Sequence, residues 1–109
     1  MTTLKQKSCT TCKPNSPKVT STQMATFMKE LDTDWNILEN TYIEREYRVA
    51  NFSEAMELAN YISEIAEDEN HHPDLHIGWG KLKVTITTHA CDGLTENDFI
   101  LAAKIDNLQ

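Results

Sequence analysis

Hydrophobic and polar positions alternate along this chain with two different periods, and the changes of period mark its elements. Met24, Phe27, Met28 and Leu31 recur at helical spacing behind Thr20, Ser21 and Thr22, any of which can cap a helix. Asp32-Thr33-Asp34 stops that helix. Trp35, Ile37 and Leu38 begin a strand, Asn40-Thr41 makes a hairpin turn, and Tyr42 to Val49 alternates with a period of two. Ile43, Arg45, Tyr47 and Val49 share one face of it. Ser53 is the expected cap of the longest helix, whose stripe is Ala55, Met56, Ala59, Ile62, Ile65 and Ala66. Pro73 disfavours helical backbone at His72, so the helix ends before it. Leu75 to Trp79 reads as a short strand, Gly80 as a turn, and Leu82, Val84 and Ile86 as the clearest strand. Thr95-Glu96-Asn97-Asp98 is a capping-box pattern, continued by Phe99, Ala102, Ala103 and Ile105 as the last helix.

The order is helix, two strands, helix, two strands, helix. Short hairpins with interleaved helices predict an α+β fold, with an antiparallel sheet and its helices packed on one face. With 109 residues the chain is expected to be one domain, residues 20–109, behind a loosely held N-terminal tail, residues 1–19.

Charge narrows the partners. The formal net charge is −7 and the isoelectric point is near 4.9. Nucleic-acid binders carry a basic face, and anionic membranes attract basic segments, so neither partner is expected. The polar opening Met1 to Lys7 lacks the apolar stretch of a signal peptide, and a cytoplasmic protein is expected. Three cysteines argue against a disulfide framework. Cys9 and Cys12 form a C-x-x-C, which supplies half of a zinc site at most. Cys91 reads as a small buried apolar residue.

The chemistry concentrates in histidines. His71, His72 and His76 lie within six residues, and His89 follows the last strand-like run. Imidazole titrates near neutral pH, so a cluster suits proton transfer or metal binding better than packing. The turn at Gly80 makes the flanking strands neighbours and can return His89 to the pair. Glu67 lies one helical turn before His71 and can orient an imidazole. Several imidazoles with a carboxylate can hold an acid and a base together. His76 reads equally well as a solvent-facing strand residue, and Trp35 and Trp79 read as core or interface residues. Three acids in Glu67-Asp68-Glu69 oppose the helix macrodipole, a local conflict for which function is one reason.

Glu67-x-x-Asn70-His71-His72-Pro73, followed by Trp79, His89 and Asp98, resembles the signature of the pterin-4a-carbinolamine dehydratases, most closely their microbial branch. Gly93-Leu94-Thr95-Glu96-x-Asp98, the helix after it and Trp35 extend the resemblance over roughly residues 20–109. It implies a four-stranded antiparallel sheet with three helices on one face. It implies dehydration of 4a-hydroxytetrahydrobiopterin to quinonoid dihydropterin, which recycles the pterin of aromatic amino acid hydroxylases. No metal or organic cofactor is implied. A homo-oligomer, dimer or tetramer, is implied, with a hydroxylase as a candidate partner. By position, His71, His72 and His89 are the catalytic and binding histidines. Glu67, Asn70, Pro73, Trp35, Trp79 and Asp98 are the supporting or substrate-binding residues. The departure is Asn70, where many members carry Asp. Two other readings stand beside the enzyme. One is an interaction protein, since some animal relatives act as a dimerisation cofactor of a transcription factor. The other is a metal-binding protein using His71, His72, His76 and His89.

Overall fold

The computed structural model describes residues 3–108. Helix α1 is Ser21–Met28, strands β1 and β2 are Asn36–Leu38 and Tyr42–Arg48, helix α2 is Phe52–Glu69, strands β3 and β4 are Asp74–Gly78 and Lys81–Ile86, and helix α3 is Glu96–Asp106. The four strands form one antiparallel sheet in the order β1-β2-β4-β3. This is the predicted α+β architecture of three helices on a four-stranded sheet.

Period-two patterning fixes the register. Ile43 faces Ile86, Arg45 faces Val84 and Tyr47 faces Leu82, and all six are buried under the helices. The opposite face carries Glu44, Glu46 and Arg48 against Thr85, Lys83 and Lys81, and His76 stands there opposite Lys83. One face is therefore core and the other charged. From α3, Phe99, Ile100, Leu101, Ala102 and Ile105 fill the space over the sheet. From α2, Ala55, Ala59, Ile62 and Ala66 do so, whereas Met56 stays exposed at the margin of its stripe.

Local signals mostly landed where expected, with shifts of a residue or two. Thr20 caps α1 by accepting the Gln23 N–H. Glu39 and Asn40 both have positive φ (54° and 53°) and turn the chain within the three-residue connection, residues 39–41, between β1 and β2. The expected cap of α2 is corrected from Ser53 to Asn51, whose side chain accepts the Glu54 N–H at 2.8 Å. Ser53 lies inside the first turn. Likewise β3 begins at Asp74 and ends before Trp79, which projects from the β3–β4 turn at 77% exposure.

The segment before residue 20, expected as a loose tail, is tied to the helices at several points, although much of it is exposed. Leu4 is 1% exposed within the core, and burying a leucine stabilises by roughly 1.5–3 kcal/mol. Its N–H donates to Glu30, the Lys7 ammonium meets Glu96 at 2.6 Å, and the Val19 N–H donates to the Leu94 carbonyl.

Candidate active site

The end of α2 sets the first histidine. Asn70 adopts the left-handed conformation, φ 51° and ψ 41°. The His71 N–H reaches back to the Ala66 carbonyl at 3.2 Å, and the Asn70 N–H to that of Glu67 at 3.3 Å. These two bonds are a Schellman ending, which needs Gly or Asn at the left-handed position. The backbone of Asn70 thus ends the helix, and His71 is the first residue beyond the turn. Pro73 then leads the chain into β3.

Each of the three histidines meets a carboxylate. His71 Nε2 is 2.6 Å from Asp98 Oδ1, with the imidazole 10% exposed and Asp98 fully buried. His72 Nε2 bonds to Glu67 Oε2 at the surface. His89 Nε2 lies 3.7 Å from Asp74 Oδ2, again at the surface. In all three pairs Nε2 is the ring nitrogen nearer the carboxylate, within hydrogen-bond reach at His71 and His72 and at ion-pair distance at His89.

Asp98 is the most constrained of these acids. Its Oδ2 accepts the Thr95 N–H at 2.8 Å, the reciprocal half of the capping box that starts α3. The same oxygen accepts the Thr88 hydroxyl at 2.8 Å, and the Thr88 and Thr95 hydroxyls are 2.9 Å apart. A buried charge is tolerable only when its oxygens are satisfied, and here the Thr95 N–H and the Thr88 hydroxyl converge on it with His71. One residue thus starts a helix and orients an imidazole.

His89 lies just past β4, in a single 3₁₀ turn, His89–Cys91, that follows Thr88. The β3–β4 pairing brings it beside Asp74, two residues after His72.

Other expected site residues lie elsewhere. Trp35 is 2% exposed and donates its indole N–H to Asp106 at 2.8 Å, at the opposite end of α3 from Asp98. The Arg45 guanidinium meets the same carboxylate at 2.7 Å and lies over the Tyr47 ring. Trp79 is at the far end of β3 from His72. His76 points to the charged face of the sheet, away from His71. Glu67 pairs with His72 rather than with His71, one turn on. Sequence reasoning missed Asp74 and Thr88. Adjacency to Pro73 and to His89 was the available signal for each.

Two thiols are pushed away from reactivity. Burial, reinforced by the carboxylate of Glu69, raises the Cys9 thiol to about 12, and burial raises that of Cys91. Among the described residues no three His, Cys, Asp or Glu side chains converge as a metal site, and no helix is long and apolar enough to cross a membrane.

A sheet backed by three helices, with paired imidazoles at the α2–β3 junction and past β4, defines a small α+β protein with a histidine–carboxylate site. Residues 17–108 match the model of the pterin 4 alpha carbinolamine dehydratase family, and the chain belongs to that family. It is 39% identical over 109 residues to a protein of Alkaliphilus metalliredigens named "Putative pterin-4-alpha-carbinolamine dehydratase", covering 100% of this chain and 98% of that one. A protein of the same name from Rickettsia canadensis is 43% identical over 107 residues, 98% of either chain. Among solved structures, the transcriptional coactivator/pterin dehydratase of Brucella melitensis superposes with a TM-score of 0.77 at 27% identity, over 84% of this chain and 98% of that one.

Proposed function

We propose that the protein dehydrates a 4a-hydroxytetrahydropterin, with 4a-hydroxytetrahydrobiopterin as its substrate, and so returns the pterin to aromatic amino acid hydroxylases. In this reaction the C4a–O bond breaks, the leaving hydroxide takes a proton and departs as water, and the neighbouring ring N–H gives up its proton as the quinonoid bond forms. An acid and a base are both needed. His71 and His89 are the acid–base pair, and His72 is a binding and electrostatic group. Glu67, Asp74 and Asp98 hold the three rings.

The observation that carries this reading is the pairing of each imidazole with its own carboxylate through Nε2. A carboxylate hydrogen-bonded to Nε2, as at His71 and His72, fixes the tautomer and leaves Nδ1 as the nitrogen free for proton exchange with a bound ring. A role as a transcriptional coactivator alone, without the dehydratase activity that the name of the Brucella relative also gives, needs no such pairing. The test is a stopped-flow assay on synthetic 4a-carbinolamine. Acceleration over the spontaneous dehydration, lost in His71→Ala, is expected. A rate equal to the spontaneous one would overturn the reading.

Assembly and location belong to the same proposal. A sheet covered on one face leaves its edges and its other face open, and a homo-oligomer, dimer or tetramer, in the cytoplasm is the expected form. Light scattering at micromolar concentration checks it, and a monomer near 12.4 kDa would refute it.

A further inference from the structure

Cys9 and Thr10 bridge the end of α2 and the first turn of α3, which are also linked by the Glu69–Lys104 and His71–Asp98 pairs. The Cys9 N–H donates to Glu69 Oε1 at 2.8 Å. Glu69 is the last residue of α2, and Asn70 and His71 follow it directly. The Thr10 N–H donates to Asn97 Oδ1 at 3.0 Å, and Asn97 Nδ2 donates back to the Thr10 carbonyl at 2.7 Å. Asn97 lies in the first turn of α3, immediately before Asp98, and is 3% exposed. Its Nδ2 also donates to Cys12 Sγ at 2.9 Å, and Cys9 Sγ donates to its carbonyl at 3.5 Å.

We propose that residues 9–12 form a strap that sets the His71–Asp98 distance, with Glu69 and Asn97 as positioning residues for the reaction. The proposal rests on the dehydratase reading for its catalytic consequence, but not for its geometry. On one side the strap grips the residue two before His71. On the other it grips the residue one before Asp98. A buried side-chain amide that exchanges two bonds with the backbone of a single residue fixes position and orientation together, because both its donor and its acceptor are used. Leu4, buried in the core, and Lys7, on Glu96, anchor the approach to it. The strap also explains an acid at the end of α2 where the macrodipole disfavours one. Glu69 serves the Cys9 N–H and lies 3.5 Å from the Lys104 ammonium. Placement errors of about 1 Å cost up to about 10²-fold in rate, so a clamp one and two residues from the acid–base group has leverage.

The test uses full-length Glu69→Ala, Asn97→Ala and Asn97→Ser, the last keeping a residue suited to the first turn of a helix. Glu69→Gln retains the acceptor for Cys9. Two readouts are taken on folded protein: the ¹⁵N resonance of His71 Nε2, and kcat and KM for the carbinolamine. The expected result is a displaced His71 resonance in the first three variants with His72 and His89 unmoved. Turnover falls on the order of 10-fold with KM little changed, and Glu69→Gln restores both. A His71 resonance unmoved in Asn97→Ser and Glu69→Ala would overturn the strap. If the wild-type protein shows no dehydration, the resonance alone decides, so failure of the function and failure of the strap remain distinct.

Discussion

Asp98 holds His71 with one carboxylate oxygen, at 2.6 Å, and closes the capping box of α3 with the other, which takes the Thr95 N–H at 2.8 Å. Helix initiation and ring orientation therefore depend on a single buried side chain. Replacing it separates the two roles. Asp98→Asn keeps an amide oxygen for Thr95 but removes the charge facing the imidazole. It is expected to fold with a modest loss of stability and to lose on the order of 10-fold or more in turnover. His71→Ala and His89→Ala should each lose on the order of 10²-fold, the worth of a general acid or base. His76→Ala, on the other face of the sheet, should lose far less. The measurement is kcat beside the melting temperature for each variant. Equal, small losses in His71→Ala, His89→Ala and His76→Ala would sink the assignment.

Asn70 offers a second separation, between backbone and side chain. Its φ of 51° is comfortable for Gly and Asn and strained for a β-branched residue. Asn70→Gly should keep both fold and rate. Asn70→Val should cost about 1–3 kcal/mol and displace His71. Urea unfolding of the two variants measures this. Loss of activity in Asn70→Gly at unchanged stability would show instead that the amide side chain takes part in the chemistry.

Much of this was legible in the chain because the signals were local. The alternation of Leu82, Val84 and Ile86 gave β4 its bounds and its buried face. Glu39 and Asn40 lie at the hairpin where Asn40-Thr41 marked a turn. Thr95 and Asp98 declared the start of α3. What stayed hidden depends on long-range partners. Leu4 is a lone apolar residue in a polar stretch, so periodicity had nothing to report, yet it lies in the core. Arg45 sits at an inward position of β2, and its nearest carboxylate is that of Asp106, 61 residues on. Asp34 and Asp32 stand near the same guanidinium, and Trp35 was drawn into that cluster rather than to the histidines. Which carboxylate serves which imidazole was equally hidden. Asp98 and His71 are 27 residues apart, and the nearer acid, Glu67, turned to His72.

Tyr47 predicts a loss of stability in alkali. Burial raises its phenol to about 12, with Arg45 opposing and Asp106 reinforcing the shift. The unfolded chain releases this proton near pH 10, before the folded one does. Its contribution is therefore complete below about pH 10 and is lost as pH rises towards 12, on the order of 2 kcal/mol in all. Unfolding free energy measured at about pH 9 and about pH 11 should fall more in the wild type than in Tyr47→Phe, which lacks the group. Parallel falls in the two proteins would mean that Tyr47 titrates alike folded and unfolded.

Cys9 predicts a silent thiol within a motif that reads as reactive. The thiolate is the nucleophile, and with the thiol raised to about 12 by burial and then by Glu69, only about one part in ten thousand ionises at pH 8. Cys91 is buried and its thiol is raised as well. Alkylation of the folded protein with iodoacetamide, followed by peptide mass spectrometry, should leave Cys9 and Cys91 largely unmodified. Denatured protein should be labelled at all three cysteines. Because the Cys9 N–H is also the strap's hold on Glu69, Glu69→Ala should raise the Cys9 labelling rate by removing the negative charge and loosening the cover together. Rapid labelling of Cys9 in the folded wild type would show that the strap opens readily, and would place the C-x-x-C among redox-active thiols instead.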